Sequence, residues 1–237
     1  NPYFLGLLPT RCCNMACKYC DFVSGETQVM SFDIVRRSVD GYLDLLCQND
    51  RQSGAIHFFG GEPFHAPQTV QFAIEYARIR AANLGITLHF EATTNGNYDE
   101  TLSRWIANNL DTVVLSLDGM ADAQNTHRPL KGGSPSFECV SNSASIFSDS
   151  NCDLIIRSCV SNLNVDRLPE IANWFIQSYR PTAVCFEPLS ESAATRRNHL
   201  FPPDPLTYAR KFHVAARDLQ QFDVPTYLST ADLSQNR

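Results

Sequence analysis

The sequence predicts an α/β protein whose fold is a partial (β/α)6 barrel, similar to an incomplete TIM barrel with parallel strands. Short apolar runs rich in Val, Ile, Phe and Leu recur along the chain. Longer segments with the apolar spacing of amphipathic helices separate these runs. Strands that alternate with helices form a parallel sheet. Since the strand–helix unit occurs about six times, we expect an open barrel and not a closed eightfold one.

The elements follow one another at regular intervals. The predicted strands are Tyr3–Leu8, Ala55–Phe59, Thr87–Ala92, Thr112–Leu117, Leu154–Val160 and Ala183–Glu187. The predicted helices are Ser31–Gln48, Pro67–Asn83, Asp99–Asn108, Ser136–Ser148, Val165–Tyr179 and Pro205–Phe222. Ser31 is a favourable N-cap for the first helix, and Gly85 a favourable C-terminal stop for the second.

Composition excludes several functional classes. The chain has 237 residues, 43% of them hydrophobic and 19% charged, so it can bury a sizeable core. Its net charge of -6 argues against a nucleic-acid partner, because phosphate binding needs clustered Lys and Arg. No apolar run approaches the roughly 20 residues that span a bilayer. The run at Tyr3–Leu8 is too short and lacks the basic start of a signal peptide. We therefore expect no membrane partner and a cytoplasmic location.

The cysteines indicate a metal site. The chain has nine cysteines, and an odd number does not suggest a fully paired disulfide framework. Four of them are clustered, namely Cys12, Cys13, Cys17 and Cys20, whereas Cys47, Cys139, Cys152, Cys159 and Cys185 are scattered. We interpret the scattered five as core or surface thiols.

The clustered cysteines lie in an unusually long connection, Pro9–Met30, and long strand-to-helix loops tend to be functional. Cys13, Cys17 and Cys20 follow a Cys-x3-Cys-x2-Cys spacing. Three thiolates can hold a 4Fe-4S cluster and leave one iron without a protein ligand. Structural zinc normally takes four protein ligands, so an iron–sulfur cluster is favoured over the alternatives of zinc or inert thiols. We interpret Cys12 as a packed neighbour of the motif.

A glycine-rich turn, Gly60-Gly61-Glu62-Pro63, follows the second predicted strand. Glycine permits close approach to a backbone. The carboxylate of Glu62 can accept charge-assisted hydrogen bonds from an ammonium group. The alternative interpretation is an ordinary turn that caps a helix.

Together, the cysteine loop and this turn resemble the radical S-adenosylmethionine enzymes, and the resemblance runs over nearly the whole chain. It implies that Cys13, Cys17 and Cys20 hold a 4Fe-4S cluster. It also implies that the turn Gly60–Pro63 matches the family's GGEP motif, which binds the amino group of the methionyl part of S-adenosylmethionine.

Two further motifs follow in the order typical of this family. Thr94-Asn95-Gly96 ends the third strand and Ser116-Leu117-Asp118-Gly119 ends the fourth. The resemblance implies that both motifs, with Asn95 and Asp118, line the cofactor site. It also implies that Ser116 and Arg128 hold the cofactor carboxylate, and a guanidinium suits this role because its fork bonds both oxygens.

The last two strands carry weaker candidates. Arg157 is a polar residue in an apolar run, and it is either a second polar contact or a paired core arginine. The resemblance makes Tyr19 and Leu189 candidate adenosine contacts, although Leu189 is otherwise a core residue. Glu187 ends the sixth strand, where it faces a substrate as a weak catalytic candidate or forms a structural salt bridge.

The histidines show no metal-ligand spacing, and we assign them no role. They are His57, His65, His89, His127, His199 and His213.

The resemblance implies an enzyme that reductively cleaves S-adenosylmethionine and abstracts a hydrogen atom from its substrate. The C-terminal part is similar to members that modify peptide or protein side chains by cross-linking, epimerisation or oxidation. Those members usually continue into a SPASM domain with auxiliary clusters. This chain departs from that pattern, because it stops at Arg237 and has no cysteine after Cys185. Either the SPASM domain is missing from it or the enzyme works without that domain. The start at Asn1, with no initiator methionine, favours truncation, so we expect residues 1–237 to be the core domain alone.

Two alternatives stay open at this point. One is an anaerobic sulfatase-maturing activity that makes formylglycine, and the other is a non-catalytic iron–sulfur or zinc-binding module. The expected partners of an active enzyme are a peptide or protein substrate and an electron donor such as flavodoxin or ferredoxin.

Overall fold

The computed structural model describes residues 4–22 and 28–228 of the chain. In that part, seven parallel strands form one sheet in the order β1-β2-β3-β4-β5-β6-β7. They are β1 Leu5–Leu7, β2 Ser53–Phe58, β3 Thr87–Thr94, β4 Thr112–Ser116, β5 Asp153–Val160, β6 Ala183–Pro188 and β7 Thr226–Tyr227. The first and last strands do not pair with each other, so the predicted open α/β barrel is confirmed.

Helices connect the strands. They are α1 Phe32–Gln48, α2 Pro67–Leu84, α3 Glu100–Asn109, α4 Ala121–His127, α5 Phe137–Ser148, α6 Leu168–Tyr179, α7 Ala193–Arg197 and α8 Pro205–Gln220. Two 3-10 helices, Pro63–His65 and Val165–Arg167, precede α2 and α6. No helix among the described residues is long and apolar enough to cross a membrane.

The predicted strands and helices are all present, with shifted ends. Tyr3, predicted to begin the first strand, lies outside the described residues. The elements that sequence analysis missed are β7, α4 and α7, which have two, seven and five residues. Such short segments contain too few turns or alternations for a periodic pattern to emerge. The segment predicted as one helix from Val165 begins with a 3-10 turn before α6.

The predicted helix ends at Ser31 and Gly85 are confirmed. The Ser31 side chain accepts a hydrogen bond from the backbone N–H of Ile34, which would otherwise lack an intrahelical partner. Gly85 adopts the left-handed conformation, with a φ of 67°, at the C-cap of α2.

The two faces of the sheet differ in chemistry. Successive side chains of a strand point to opposite faces, and in β5 the alternate residues Leu154, Ile156 and Val160 are buried on the helix-covered face. Arg157 and Cys159 point to the inner face of the barrel, where they line cavities. The core therefore lies between sheet and helices, and the inner face is left for polar side chains.

Candidate cofactor site

Two adjoining cavities occupy the inner face at the carboxyl ends of the strands. The first, of about 430 Å³, is lined by the three motif cysteines and by side chains from β2 to β5. The second, of about 330 Å³, continues toward the end of β6. Tyr19, Ser116, Arg128 and Arg157 line both cavities, so the two form one elongated site.

Most residues singled out in the sequence line this site. They are Cys13, Cys17, Tyr19, Cys20, Gly60, Gly61, Glu62, Asn95, Ser116, Asp118, Arg128, Arg157, Glu187 and Leu189. Pro63 is not in the lining, because it is buried at the start of its 3-10 helix. Cys12 is also outside the lining, and its carbonyl accepts a hydrogen bond from the backbone N–H of Glu62.

The cysteine loop is anchored by backbone hydrogen bonds to the segment after α4. The N–H of Ala16 donates to the carbonyl of Pro129, and the N–H of Lys18 donates to the carbonyl of His127, each at 2.8 Å. Met15 pairs with Leu130 in an isolated antiparallel bridge. These bonds fix the cysteine loop beside the chain segment that carries Arg128.

The connection after β6 holds the same loop from the other side. Arg197 forms an ion pair of 3.4 Å with Asp21, and the Asn198 side chain donates to the carbonyl of Lys18. Arg197 therefore has a defined partner in the cysteine loop. The ion pair is exposed, so its contribution to stability is small.

The thiols of the motif are enclosed to different degrees. Burial raises the pKa of Cys13, and it raises the pKa of Cys17 to about 11. Cysteine binds metal as the thiolate, so metal binding releases the thiol protons. Among the described residues, no three His, Cys, Asp or Glu side chains are arranged around a single metal ion. In an iron–sulfur cluster, by contrast, the thiolates are ligands of the cluster's several irons.

Gly60 and Gly61 allow β2 to end against the cysteine loop. A Cβ atom on Gly61 would lie 2.3 Å from the carbonyl oxygen of Cys12 and 2.4 Å from that of Arg11. Gly60 has a φ of 139°, which side chains rarely permit. The N–H of Gly61 donates to the carbonyl of Thr10. In this structure, the close approach that the glycines permit is to the protein's own loop.

Glu62 is a buried carboxylate at one end of the site, with 1% of its surface exposed. It accepts hydrogen bonds from the backbone N–H of Asn95 and the hydroxyl of Thr94, both at 2.7 Å, and from the N–H of Phe64 at 3.2 Å. Burial nevertheless raises the pKa of Glu62 to about 7. A cationic ligand in the cavity would favour the ionised form.

Asp118 is a second buried carboxylate, and it connects several groups on the other side of the site. It accepts hydrogen bonds from the hydroxyl of Tyr19 at 2.9 Å and from the backbone N–H of Cys159 at 3.0 Å. The His127 ring nitrogen Nδ1 lies 3.2 Å away. Burial opposes ionisation of Asp118, but the hydrogen bond with His127 and the positive charge of Arg128 outweigh it and lower the pKa.

Sequence analysis gave His127 no role, yet it is fully buried in this network. Its Nε2 atom lies 2.9 Å from the hydroxyl of Ser161. No metal-ligand or catalytic spacing marks His127 in the sequence. The signal that could have found it is its position directly before Arg128. His57 was also missed, and it lines the first cavity beside Thr93, whose hydroxyl is 2.9 Å from its Nε2 atom.

Arg128 is a buried guanidinium that faces both cavities. It donates a hydrogen bond to the hydroxyl of Tyr19, while its Nε atom is buried and has no hydrogen-bond partner among the described residues. Burial disfavours its charge, but the neighbouring Cys17, Tyr19 and Asp118 raise its pKa well above the ordinary value. A buried donor without an acceptor is costly, so a ligand acceptor at this position would stabilise the site.

The far end of the site lies between β5 and β6. Arg157 faces the cavities and forms an ion pair of 3.7 Å with Glu187, but its side chain is 46% exposed, so it is a paired arginine that does not lie in the core. Glu187 is therefore salt-bridged within the lining. Leu189 is mostly buried, with 8% of its surface exposed, and still lines the second cavity.

A larger cleft, of about 940 Å³, lies elsewhere, near the amino ends of β4 and β5. Asp111 and Asp153 are among its lining residues, and none of the cysteines is. Active sites of parallel α/β folds lie at the carboxyl ends of the strands, so we do not assign cofactor binding to this cleft.

The donor set of the site fits a 4Fe-4S cluster and an amino-acid-like cofactor. Cys13, Cys17 and Cys20 line one cavity with Glu62, which suits an ammonium group. The unpaired Nε donor of Arg128 suits a carboxylate in the same cavity.

The chain is similar in sequence to known maturases. It is 26% identical over 203 residues to the serine-type anaerobic sulfatase-maturating enzyme of Klebsiella aerogenes. This match covers 81% of this chain and 48% of that enzyme. It is 24% identical over 199 residues to a cysteine-type enzyme of Clostridium perfringens, covering 81% and 54%. The chain thus spans about half the length of the curated relatives it matches.

Solved structures share the fold. The structure of anSMEcpe with bound AdoMet and a Cp18Cys peptide has a TM-score of 0.74 at 19% identity, covering 96% of this chain and 64% of that one. Streptococcus suis SuiB bound to its precursor peptide SuiA has a TM-score of 0.67 at 17% identity, covering 96% and 49%.

A family profile described as the Radical SAM superfamily matches residues 7–175, which include the cysteine loop, the Gly60–Pro63 turn and most of the sheet. Members of this family use a 4Fe-4S cluster and S-adenosylmethionine, in agreement with the cofactors predicted from the sequence. The chain belongs to the radical SAM superfamily.

Proposed function

We propose that this chain is the core of a radical S-adenosylmethionine enzyme that modifies a peptide or protein side chain. The observation that carries the proposal is one cavity lined jointly by three motif cysteines, a buried carboxylate and a buried guanidinium with a free donor. A module that only bound iron or zinc would need the thiols but neither Glu62 nor Arg128.

The chain's own residues would hold the two ends of the methionyl group. Cys13, Cys17 and Cys20 would bind the cluster as thiolates. Glu62 would accept hydrogen bonds from the ammonium, and the Nε donor of Arg128 would bind the carboxylate. The hydroxyl of Ser116 and the amide of Asn95 line the same cavity and would orient that group.

The adenosine would lie in the second cavity. Tyr19 has its hydroxyl bound to Asp118, so its ring is held in one orientation at the boundary of the two cavities. Leu189 offers an apolar surface at the far end. When bound, the reduced cluster and S-adenosylmethionine would supply the radical chemistry that removes a hydrogen atom from the substrate. The residues around them position the reactants and exclude water.

A ribosomally made peptide is the leading substrate class, and the modification would be a cross-link, an epimerisation or an oxidation. SuiB, a protein of this fold, was solved with a precursor peptide. Formylglycine formation on a sulfatase is the second candidate, and the similarity to two anaerobic sulfatase-maturating enzymes favours it. Both candidates require that a polypeptide segment can enter the space in front of the inner face of the sheet, which we call the lumen.

The proposal extends to the domain plan and the setting. Residues 1–237 would form one radical SAM core domain, with an auxiliary-cluster (SPASM) domain C-terminal to it. The greater length of the relatives supports this plan. A cytoplasmic enzyme of this kind would receive electrons from a flavodoxin or ferredoxin. Its labile cluster thiolates suit a reducing compartment.

The decisive experiment is anaerobic reconstitution with iron and sulfide, followed by dithionite and S-adenosylmethionine. We expect 5'-deoxyadenosine from the wild type and none from Cys17→Ala, with Cys47→Ala as the control because Cys47 is an exposed thiol outside the site. A cluster that forms without cleavage would contradict the proposal. Mass spectrometry with precursor-like peptides and a sulfatase peptide then separates the two substrate classes.

A further inference from the structure

A third part of the inner face is not taken up by the groups assigned to the cofactor. It consists of one residue each of β2 and β3, the residue after β2 and the residue before β1, and we name it the β1–β3 wall. Its members are Phe4, His57, Phe59 and Glu91. His57 and Phe59 line the same cavity as the motif cysteines, so the wall borders the space next to the cofactor.

The wall offers aromatic surface to the lumen. The His57 ring lies between two phenylalanines, with centroid distances of 6.1 Å to Phe4 and 5.7 Å to Phe59. Phe4 is 57% exposed and Phe59 is 38% exposed, values that are high for large apolar side chains. Gly6 leaves room for this arrangement, since a Cβ there would lie 2.9 Å from the Phe59 ring.

Glu91 brings a negative charge to the same wall. Its carboxylate is 3.6 Å from Nδ1 of His57, and its side chain is 31% exposed. Within residues 4–22 and 28–228, no Lys or Arg nitrogen pairs with Glu91. Burial lowers the pKa of His57 although Glu91 opposes this effect, so the histidine does not supply a permanent positive charge.

The opposite wall is already neutralised. Arg157 and Glu187 pair with each other across β5 and β6, and this pair gives the lumen no net charge. Glu91, by contrast, has no permanently charged counterion among the described residues. An aromatic surface beside a carboxylate suits a side chain with an apolar stem and a cationic head, which gains both cation–π and charge-assisted contacts.

We propose that the β1–β3 wall is a subsite for a lysine or arginine side chain of the substrate peptide. This inference rests on the proposed function, because the lumen must admit a peptide. The alkyl stem would lie along the phenylalanine rings, and the cationic group would reach the carboxylate of Glu91.

The test is anaerobic calorimetric binding to the reconstituted protein with S-adenosylmethionine. The probes are acetylated, amidated peptides Gly-Ala-Xaa-Ala-Gly in which Xaa is Lys, norleucine or Glu. We expect the Lys peptide to bind about tenfold more tightly than the norleucine peptide, as one charge-assisted contact allows. Glu91→Gln should abolish this preference, and Glu91→Lys should transfer it to the Glu peptide.

The matched control is Glu75→Gln, which removes an exposed carboxylate from the outer helix α2 and should keep the Lys preference. Equal binding of the three peptides, or a Lys preference that persists in Glu91→Gln, would overturn the subsite. Formation of 5'-deoxyadenosine in parallel samples that also receive dithionite reports separately on the proposed function. Cleavage without a Lys preference rejects the subsite alone, whereas a Glu91-dependent preference without cleavage supports it and rejects the radical chemistry.

Discussion

The two buried carboxylates of the cofactor site are held by different parts of the chain. Glu62 accepts hydrogen bonds from two backbone N–H groups and one hydroxyl, all in segments that end a strand or begin a helix. Asp118 is held mainly by side chains, with Tyr19, His127 and Arg128 arranged around it. The Glu62 end is thus held mainly by backbone N–H groups, and the Asp118 end mainly by side chains.

The largest expected effect comes from removing the carboxylate of Asp118, which is the hydrogen-bond acceptor at the end of the site that is held mainly by side chains. Asp118→Ala would leave Tyr19, His127 and the buried charge of Arg128 without their shared carboxylate. We expect a loss of about 3–5 kcal/mol in the free energy of unfolding, the range for breaking a buried ion pair. Urea denaturation measures it. Asp118→Asn keeps an acceptor oxygen and should lose less. A cost below about 1 kcal/mol for the alanine variant would show that the network is not held through Asp118.

At the backbone end, the charge of Glu62 should make stability depend on pH. Its pKa rises from an ordinary value of 4.5 to about 7, so the folded state binds the proton more tightly than the unfolded state. Stability should therefore fall as pH rises from about 4.5 to about 7, by about 3 kcal/mol before cofactor binds. The measurement is the difference between wild type and Glu62→Gln in unfolding free energy at about pH 5 and about pH 8. Parallel curves for the two proteins would contradict the raised pKa.

A smaller effect is expected where β2 meets the cysteine loop. A methyl group in Gly61→Ala would collide with the carbonyl oxygens of Arg11 and Cys12, so the loop must move. We expect a loss of about 1–3 kcal/mol in stability and less iron bound per chain after reconstitution. The control is Gly41→Ala in α1, where a Cβ meets no atom within 4 Å. It should gain up to about 1 kcal/mol and bind normal iron. If Gly61→Ala and the wild type bound equal amounts of iron, the expected link between the position of the cysteine loop and cluster binding would be contradicted.

The contrast between the two ends also explains what sequence analysis could predict. The strands and the longer helices could be predicted from apolar periodicity. The Glu62 end could be predicted from a short motif, because its glycines and its carboxylate are adjacent in the sequence. His127 and Ser161 belong to the side-chain end and are separated along the chain, so no local pattern reveals their contact.

The missed elements and contacts also depend on residues that are far apart in the sequence. Strand β7 has two residues and is defined by its pairing with β6, a long-range contact that no local pattern encodes. Arg197 and its partner Asp21 are far apart in the sequence, so no local pattern reveals their ion pair. The wall around Glu91 could not be predicted either, since its aromatic and acidic members come from three separate segments.

Among the described residues, β1 and β7 are the edges of the sheet and do not pair with each other, which affects how a polymer could reach the inner face. A closed barrel is filled through its mouth, so a chain end or a sharply bent loop must enter first. An open sheet has a gap between its two edge strands. An internal segment of a long chain can enter through such a gap without a chain end passing first. Phe4, which is 57% exposed, directly precedes the β1 edge. Residues far from either terminus of a substrate would then be as accessible as those at its ends.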